Sequence, residues 1–169
     1  MKFLTKTMLA LAVLGLAACS DPGRFGAGAG ADAGASGGIV AGSPSDPTSP
    51  AYFQQTVGDR VLFAVDQSSL SDSATATLDA QAEWLLTNPD YAVLIEGHAD
   101  EQGTREYNLA LGARRANSVS EYLVSRGVSP ARIRTVSYGK ERPIALCSDE
   151  ACYAQNRRAV TVVTAGASS

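Results

Sequence analysis

The chain has 169 residues, 45% of them hydrophobic, which is enough for one domain with a genuine core plus additional segments. Its formal charge is −3, and losing residues 1–18 would remove Lys2 and Lys6, leaving 12 basic against 17 acidic residues. An acidic balance of this kind argues against a nucleic-acid partner, whose binding rests on phosphate neutralisation by Lys and Arg, and leaves peptides and proteins open. Met1 to Ser20 places Lys2 and Lys6 ahead of an apolar run from Met8 to Ala18. That run is short of the roughly 20 apolar residues a membrane span needs and has the layout of a secretory signal. It ends Leu16, Ala17, Ala18, Cys19, which resembles a bacterial lipobox with Cys19 as the acylated first residue; a buried signal-region cysteine is the bland alternative. Ser20 stands where an aspartate would resemble an inner-membrane retention signal, so outer-membrane sorting is expected.

From Ser20 to Pro50 the chain is Gly, Ala, Ser and Pro with almost no large apolar side chain. It cannot bury enough surface to offset its ordering entropy, so residues 19–50 are expected to form a flexible tether and residues 51–165 the folded domain, with order starting near Tyr52. Arg60 to Val65 is strand-like, and Asp66 to Ser71 is a polar turn. Over Asp72 to Asn88, Ala74, Leu78, Ala82 and Leu85 share a helical face closed by Pro89, with Trp84 off that face as a cap on the helix–sheet edge. Tyr91 to Gly97 is apolar on both faces, which fits a central strand covered on both sides. Glu96, His98 and Asp100 follow at spacing two, so a continuing pleat would project them from one face.

Gly103 breaks the strand, and Thr104 is a candidate N-cap for a helix from about Arg105. At 100° per residue Leu111, Gly112, Ala116, Val119, Tyr122 and Leu123 form the buried stripe. Asn108 and Arg115 lie in the middle of it, whereas Arg114 points away. A guanidinium buried without a partner costs several kcal/mol, so Arg115 calls for a carboxylate from a ligand or from the protein, with Asp100 and Glu96 as the protein candidates. Gly127 ends the helix, and Ile133 to Tyr138 makes a further strand. A loop then carries Pro143, the cysteines and a short helix near Asp149 to Gln155, before a last strand from Arg157 to Thr164. With Cys19 assigned to lipid, Cys147 and Cys152 are left as a C-x4-C pair in an oxidising compartment. A disulfide is expected, two free thiols being the alternative. One histidine and no second cysteine pair leave a zinc site short of ligands, and no cofactor is implied.

The runs EGHADEQGTREYNLALGARRANSV, VSYGKERP and NRRAV resemble the peptidoglycan-binding domain of the OmpA C-terminal family, and within it the peptidoglycan-associated lipoproteins, over about Arg60 to Thr164. The resemblance implies an α/β (α+β) βαβαβ(α)β sandwich, with a mixed four-stranded sheet covered by helices and an antiparallel last strand. It also implies that Asp100 and Arg115 hold the diaminopimelate of the peptide stem, the carboxylate accepting from the ammonium and the guanidinium holding the ligand carboxylate. Phe63 and Asp66 match family positions lining the same pocket, Asn108 and Leu111 join the candidate set, and Ala64 departs from an acid that members often carry. Arg157 and Arg158 also match, one of them expected to pair with a carboxylate. Spacing alone equally allows an internal Asp100–Arg115 salt bridge. His98 reads as a hydrogen-bonded structural histidine at the pocket floor rather than as a metal ligand or catalytic group. The expectation is a non-enzymatic outer-membrane lipoprotein facing the periplasm, tethering the envelope to peptidoglycan within the Tol–Pal system, with TolB and other Tol proteins as partners and roles in envelope integrity and cell division. The competing readings are a peptidoglycan hydrolase, disfavoured by the lack of a G-x-S-x-G elbow or catalytic cysteine, and a flagellar stator domain, disfavoured by the short apolar run.

Overall fold

The structure, a computed structural model, describes residues 40–166. The signal region and Cys19 lie outside the described residues. In chain order the elements are a short helix α1 (Pro50–Tyr52) running into a π-helical turn (Phe53–Gly58), β1 (Arg60–Leu62), α2 (Asp72–Thr87), β2 (Tyr91–His98), α3 (Arg105–Ser125), a 3-10 turn (Pro130–Arg132), β3 (Ile133–Gly139), α4 (Glu150–Asn156) and β4 (Arg158–Ala165). The strands form one mixed sheet in the order β1-β4-β2-β3. The last strand inserts antiparallel between β1 and β2, while β2 and β3 run parallel through the α3 crossover.

Local chemistry places the ends of the helices. Ser71 caps α2 and Thr104 caps α3, each hydroxyl accepting a backbone N–H of the first turn, and Gly127 takes the positive φ that follows α3. Both long helices pack on the sheet face that carries Val61, Val93, Ile95, Ala159 and Val163. On that face Gln81 of α2 accepts from the Thr161 hydroxyl and donates to Gly58 O. The alternate residues Leu94 and Glu96 are only half-buried. The expectation that β2 is covered on both sides is thus corrected. It is interior in the sheet but helix-covered on one face, because its neighbour β4 is antiparallel and alternates with it.

Two further boundaries shift. β1 ends at Leu62 rather than Val65, and the Phe63 N–H closes its pairing with β4, donating to Arg157 O in the same register at 2.8 Å. Order also begins earlier than Tyr52. Residues 40–50 form hydrogen-bonded turns, Trp84 donates from its indole to Pro47 O at 2.7 Å, and the Tyr91 hydroxyl donates to Thr48 O. Trp84 is a buried anchor rather than an edge cap, its ring packed 4.9 Å from Phe53 and 5.2 Å from Tyr91.

Helix α3 sits unusually low on the sheet. A Cβ added to Gly97 would overlap the Gly112 carbonyl, and one added to Gly112 would lie 2.8 Å from Gly97 O. This glycine-on-glycine contact sets the height of the helix, and so the depth of Arg115 one turn further on.

Candidate functional site

Two loops, the end of α4 and the first turns of α3 meet at the C-terminal end of β2. The β1–α2 loop brings Phe63 to Gln67, the β2–α3 loop brings Ala99 to Gly103, and α4 leads into Arg157. Asp66 is the one non-glycine residue with positive φ among the described residues, at 57°, in the left-handed region that an aspartate tolerates better than most side chains. A cleft of about 270 Å³ opens between these segments, walled by Val65, Asp66, Asp100, Tyr107, Asn108 and Leu111 with Gln102 and Gly103.

Asp100, Asp66, Asn108 and Leu111 of the expected set therefore line the cleft directly. Phe63 and Arg115 do not. Arg115 is fully buried, and Phe63 lies against it, the guanidinium carbon 5.2 Å from the ring centroid. The partners of Arg115 differ from the sequence reading. Its Nε donates to Gln67 O at 2.8 Å, Nη1 to His98 O at 2.7 Å and Nη2 to Ala64 O at 3.2 Å. Neither Asp100 nor Glu96 reaches it as a salt-bridge partner, so backbone carbonyls, not a carboxylate, supply its hydrogen bonds. The reason is architectural. The β1–α2 loop and the last residue of β2 turn carbonyls inward, and a guanidinium with five donors can satisfy several at once. Burial pushes its pKa down to about 10, partly offset by the charge of nearby Asp100 and deepened by that of Arg157. Arg115 remains a cation.

Asp100 turns instead to Arg157, whose Nη1 donates to Oδ2 at 3.2 Å, while Oδ1 accepts the Gln102 N–H. Arg157 also binds Glu150 and Phe63 O. Arg158 has no carboxylate partner among the described residues and donates to Asn156 O and Arg142 O. Asn108 fixes the turn, its amide donating to Gln102 O at 2.8 Å.

Glu96, His98 and Asp100 do not act as one ligand set. The register slips between Gly97 and His98, so Asp100 turns away to Arg157 while Glu96 stays 3.7 Å from the imidazole. His98 is 1% exposed, and neither ring nitrogen has a hydrogen-bond partner among the described residues, contrary to the expected hydrogen-bonded histidine. Burial first, then the charges of Arg158 and Arg142, lower its pKa to about 4, so the ring is neutral. Cys147 and Cys152 are disulfide-bonded, with Cα atoms 5.7 Å apart.

Sequence reasoning missed Tyr107, which lines the cleft and donates from its hydroxyl to Asp66, bridging α3 to the β1–α2 loop. Its signal was an aromatic in the first turn of a helix, off the buried stripe. It also missed Glu150, whose signal was its place seven residues, two helical turns, before Arg157.

A sequence profile of the OmpA family matches residues 62–157, more than half of the chain. The chain belongs to the OmpA family. Its relatives within the OmpA family include the peptidoglycan-associated lipoprotein of Rhizobium meliloti, 52% identical over 156 residues that cover 92% of this chain and 84% of that protein. The Pseudomonas aeruginosa peptidoglycan-associated lipoprotein is 43% identical and covers 94% of this chain and 95% of its own. Among solved structures, the peptidoglycan-associated lipoprotein of Burkholderia pseudomallei superposes with a TM-score of 0.64 at 44% identity, over 72% of this chain and 98% of that one. The C-terminal domain of Helicobacter pylori MotB, at 21% identity and a TM-score of 0.60 over 64% of this chain and 86% of its own, shares the OmpA-family fold. No helix of the described residues is long and apolar enough to cross a membrane.

Proposed function

We propose that this OmpA-family domain binds peptidoglycan non-covalently through the diaminopimelate of the stem peptide, as the cell-wall end of an outer-membrane lipoprotein. The observation that carries the reading is the buried Arg115 cation beneath an acid-lined cleft, without a carboxylate partner among the described residues. Three of its five N–H groups are used by carbonyls, and its buried positive charge, with no carboxylate salt-bridge partner among the described residues, favours a ligand carboxylate in the cleft above it. Asp100 and Asp66, in the wall, supply the opposite charge for the ligand's ammonium. A zwitterionic amino-acid end group matches both demands together. The names of the relatives, peptidoglycan-associated lipoproteins, support the same partner. The same reading extends to tethering the outer membrane to the wall, with Cys19 acylated and the domain facing the periplasm, which that likeness and the lipobox support. It also extends, by the family resemblance, to membership of the Tol system, with TolB and other Tol proteins as partners in envelope integrity and cell division.

The test is co-sedimentation with purified sacculi. Losing one charged hydrogen bond costs roughly 1.5–3 kcal/mol, so Asp100→Asn is expected to weaken binding about tenfold to a hundredfold. Arg115→Lys, which keeps the charge and loses the planar fork, weakens it as well, and Arg114→Ala leaves it unchanged. Free diaminopimelate should displace the protein better than Nα-acetyl-lysine amide, which keeps a side-chain ammonium but has no carboxylate beside it. Folded Asp100 and Arg115 variants that bind like wild type, or Nα-acetyl-lysine amide competing equally well, would refute the assignment.

A further inference from the structure

The candidate cleft contains an electrostatic difficulty. Asp100 has to attract an ammonium, yet the Arg157 guanidinium already donates to its Oδ2 at 3.2 Å and both groups are buried. A carboxylate fully committed to an internal arginine would present little charge to a ligand. Glu150 resolves this. Its carboxylate takes Arg157 Nη2 and shares Nη1 at 3.4 Å, so the same guanidinium that touches Asp100 is also drawn the other way. Glu150 itself is 68% exposed at the side chain and lies outside the cleft walls.

The position of Glu150 is fixed by local covalent and capping chemistry. The Cys147–Cys152 bond closes the chain across the start of α4, and Asp149 caps the helix, accepting the Cys152 N–H at 3.1 Å. Glu150 is therefore held in the first turn, and Arg157 follows the last. From the same helix the Tyr153 hydroxyl donates to Glu101 at 2.9 Å, clamping the loop that carries Asp100.

We infer that Glu150 is a positioning residue for ligand recognition, acting through Arg157 to keep the Asp100 carboxylate available to the ligand's ammonium. The inference rests on the diaminopimelate reading above. With Glu150 neutralised, Arg157 turns wholly to Asp100, and the ligand has to compete with an undivided ion pair.

A double-mutant cycle on the full chain tests this, titrating each variant against purified sacculi and recording melting temperatures. Because Glu150 is largely solvated, Glu150→Gln is expected to weaken binding only about two- to fivefold in the wild-type background. In the Asp100→Asn background it should change affinity not at all, since the group it acts through is gone. A merely structural Glu150 would instead lower the melting temperature in both backgrounds and leave the affinity of folded protein untouched, and that result overturns the inference. So does an equal loss of affinity in both backgrounds. Wild-type protein that fails to co-sediment, or Asp100→Asn that binds like wild type, would bring down the diaminopimelate reading itself and this inference with it.

Discussion

At the scale of single residues, the two side chains that the helical wheel singled out behave unlike ordinary surface groups. Arg115 lies at full depth and Arg114 does not, which a 3.6-residue period can show. The period could not show that carbonyls of the β1–α2 loop and of the last residue of β2 would take its donors, because the backbone direction there has no sequence period. His98 gives the residue-scale prediction. Its folded pKa of about 4 lies below the ordinary 6.5, so the neutral ring stabilises the fold fully above pH 6.5. As pH falls from 6.5 toward 4 the unfolded chain takes up the proton first, and this stability is lost, by on the order of 3 kcal/mol. Arg158 and Arg142 face the ring and oppose its protonation, while Glu96 at 3.7 Å is the only carboxylate beside it among the described residues. Comparing wild type with His98→Gln removes the background of titrating carboxylates. The stability difference between them should shift by that amount across this window, and parallel pH curves would show that the ring does not titrate as argued.

At the scale of elements, caps and periodicity located the helices to within a residue or two, with Pro89 closing α2 and Thr104 and Gly127 marking the ends of α3. Strand neighbours were less legible. Only the family resemblance supplied the antiparallel β4, and the one-sided cover of β2 follows from that insertion. The contact of Gly97 with Gly112 was half visible, as a small residue on the buried stripe. Gly112→Ala should cost about 1–3 kcal/mol in urea unfolding by lifting α3 from the sheet, and Gly97→Ala more. A neutral Gly112→Ala would mean that the helix has room to rise. The disulfide makes a different kind of contribution. It closes a loop of a few residues, so its reduction should lower stability by up to about 2 kcal/mol without abolishing sacculus binding. Two alkylatable thiols in exported protein would contradict the bonded pair.

At the scale of the whole molecule, composition separated a Gly/Ala/Ser/Pro-rich stretch from the domain, but it put the border too late. Pro47 and Thr48 are bound to Trp84 and Tyr91 through their carbonyls, a backbone contact that side-chain composition does not encode. Lipid attachment at Cys19 predicts that Cys19→Ser leaves the protein unacylated and absent from the outer-membrane fraction. A variant still lipid-labelled and retained there would end the lipoprotein reading.

The Pro47–Trp84 and Thr48–Tyr91 attachments also fix where mechanical load enters the fold. They hold the incoming chain beside Tyr91, the first residue of β2, whereas the ligand cleft opens past His98, the last. In the proposed tether, tension between membrane and wall would run lengthwise along β2, over roughly 26 Å for eight residues of strand. Load applied at the two ends of one strand is carried by its covalent backbone, and the pairing of β2 with β4, from Tyr91 opposite Ala165 to Gly97 opposite Ala159, is not peeled open from an end. In the proposed tether, the strand that presents the cleft loop would then also be the one that bears the load.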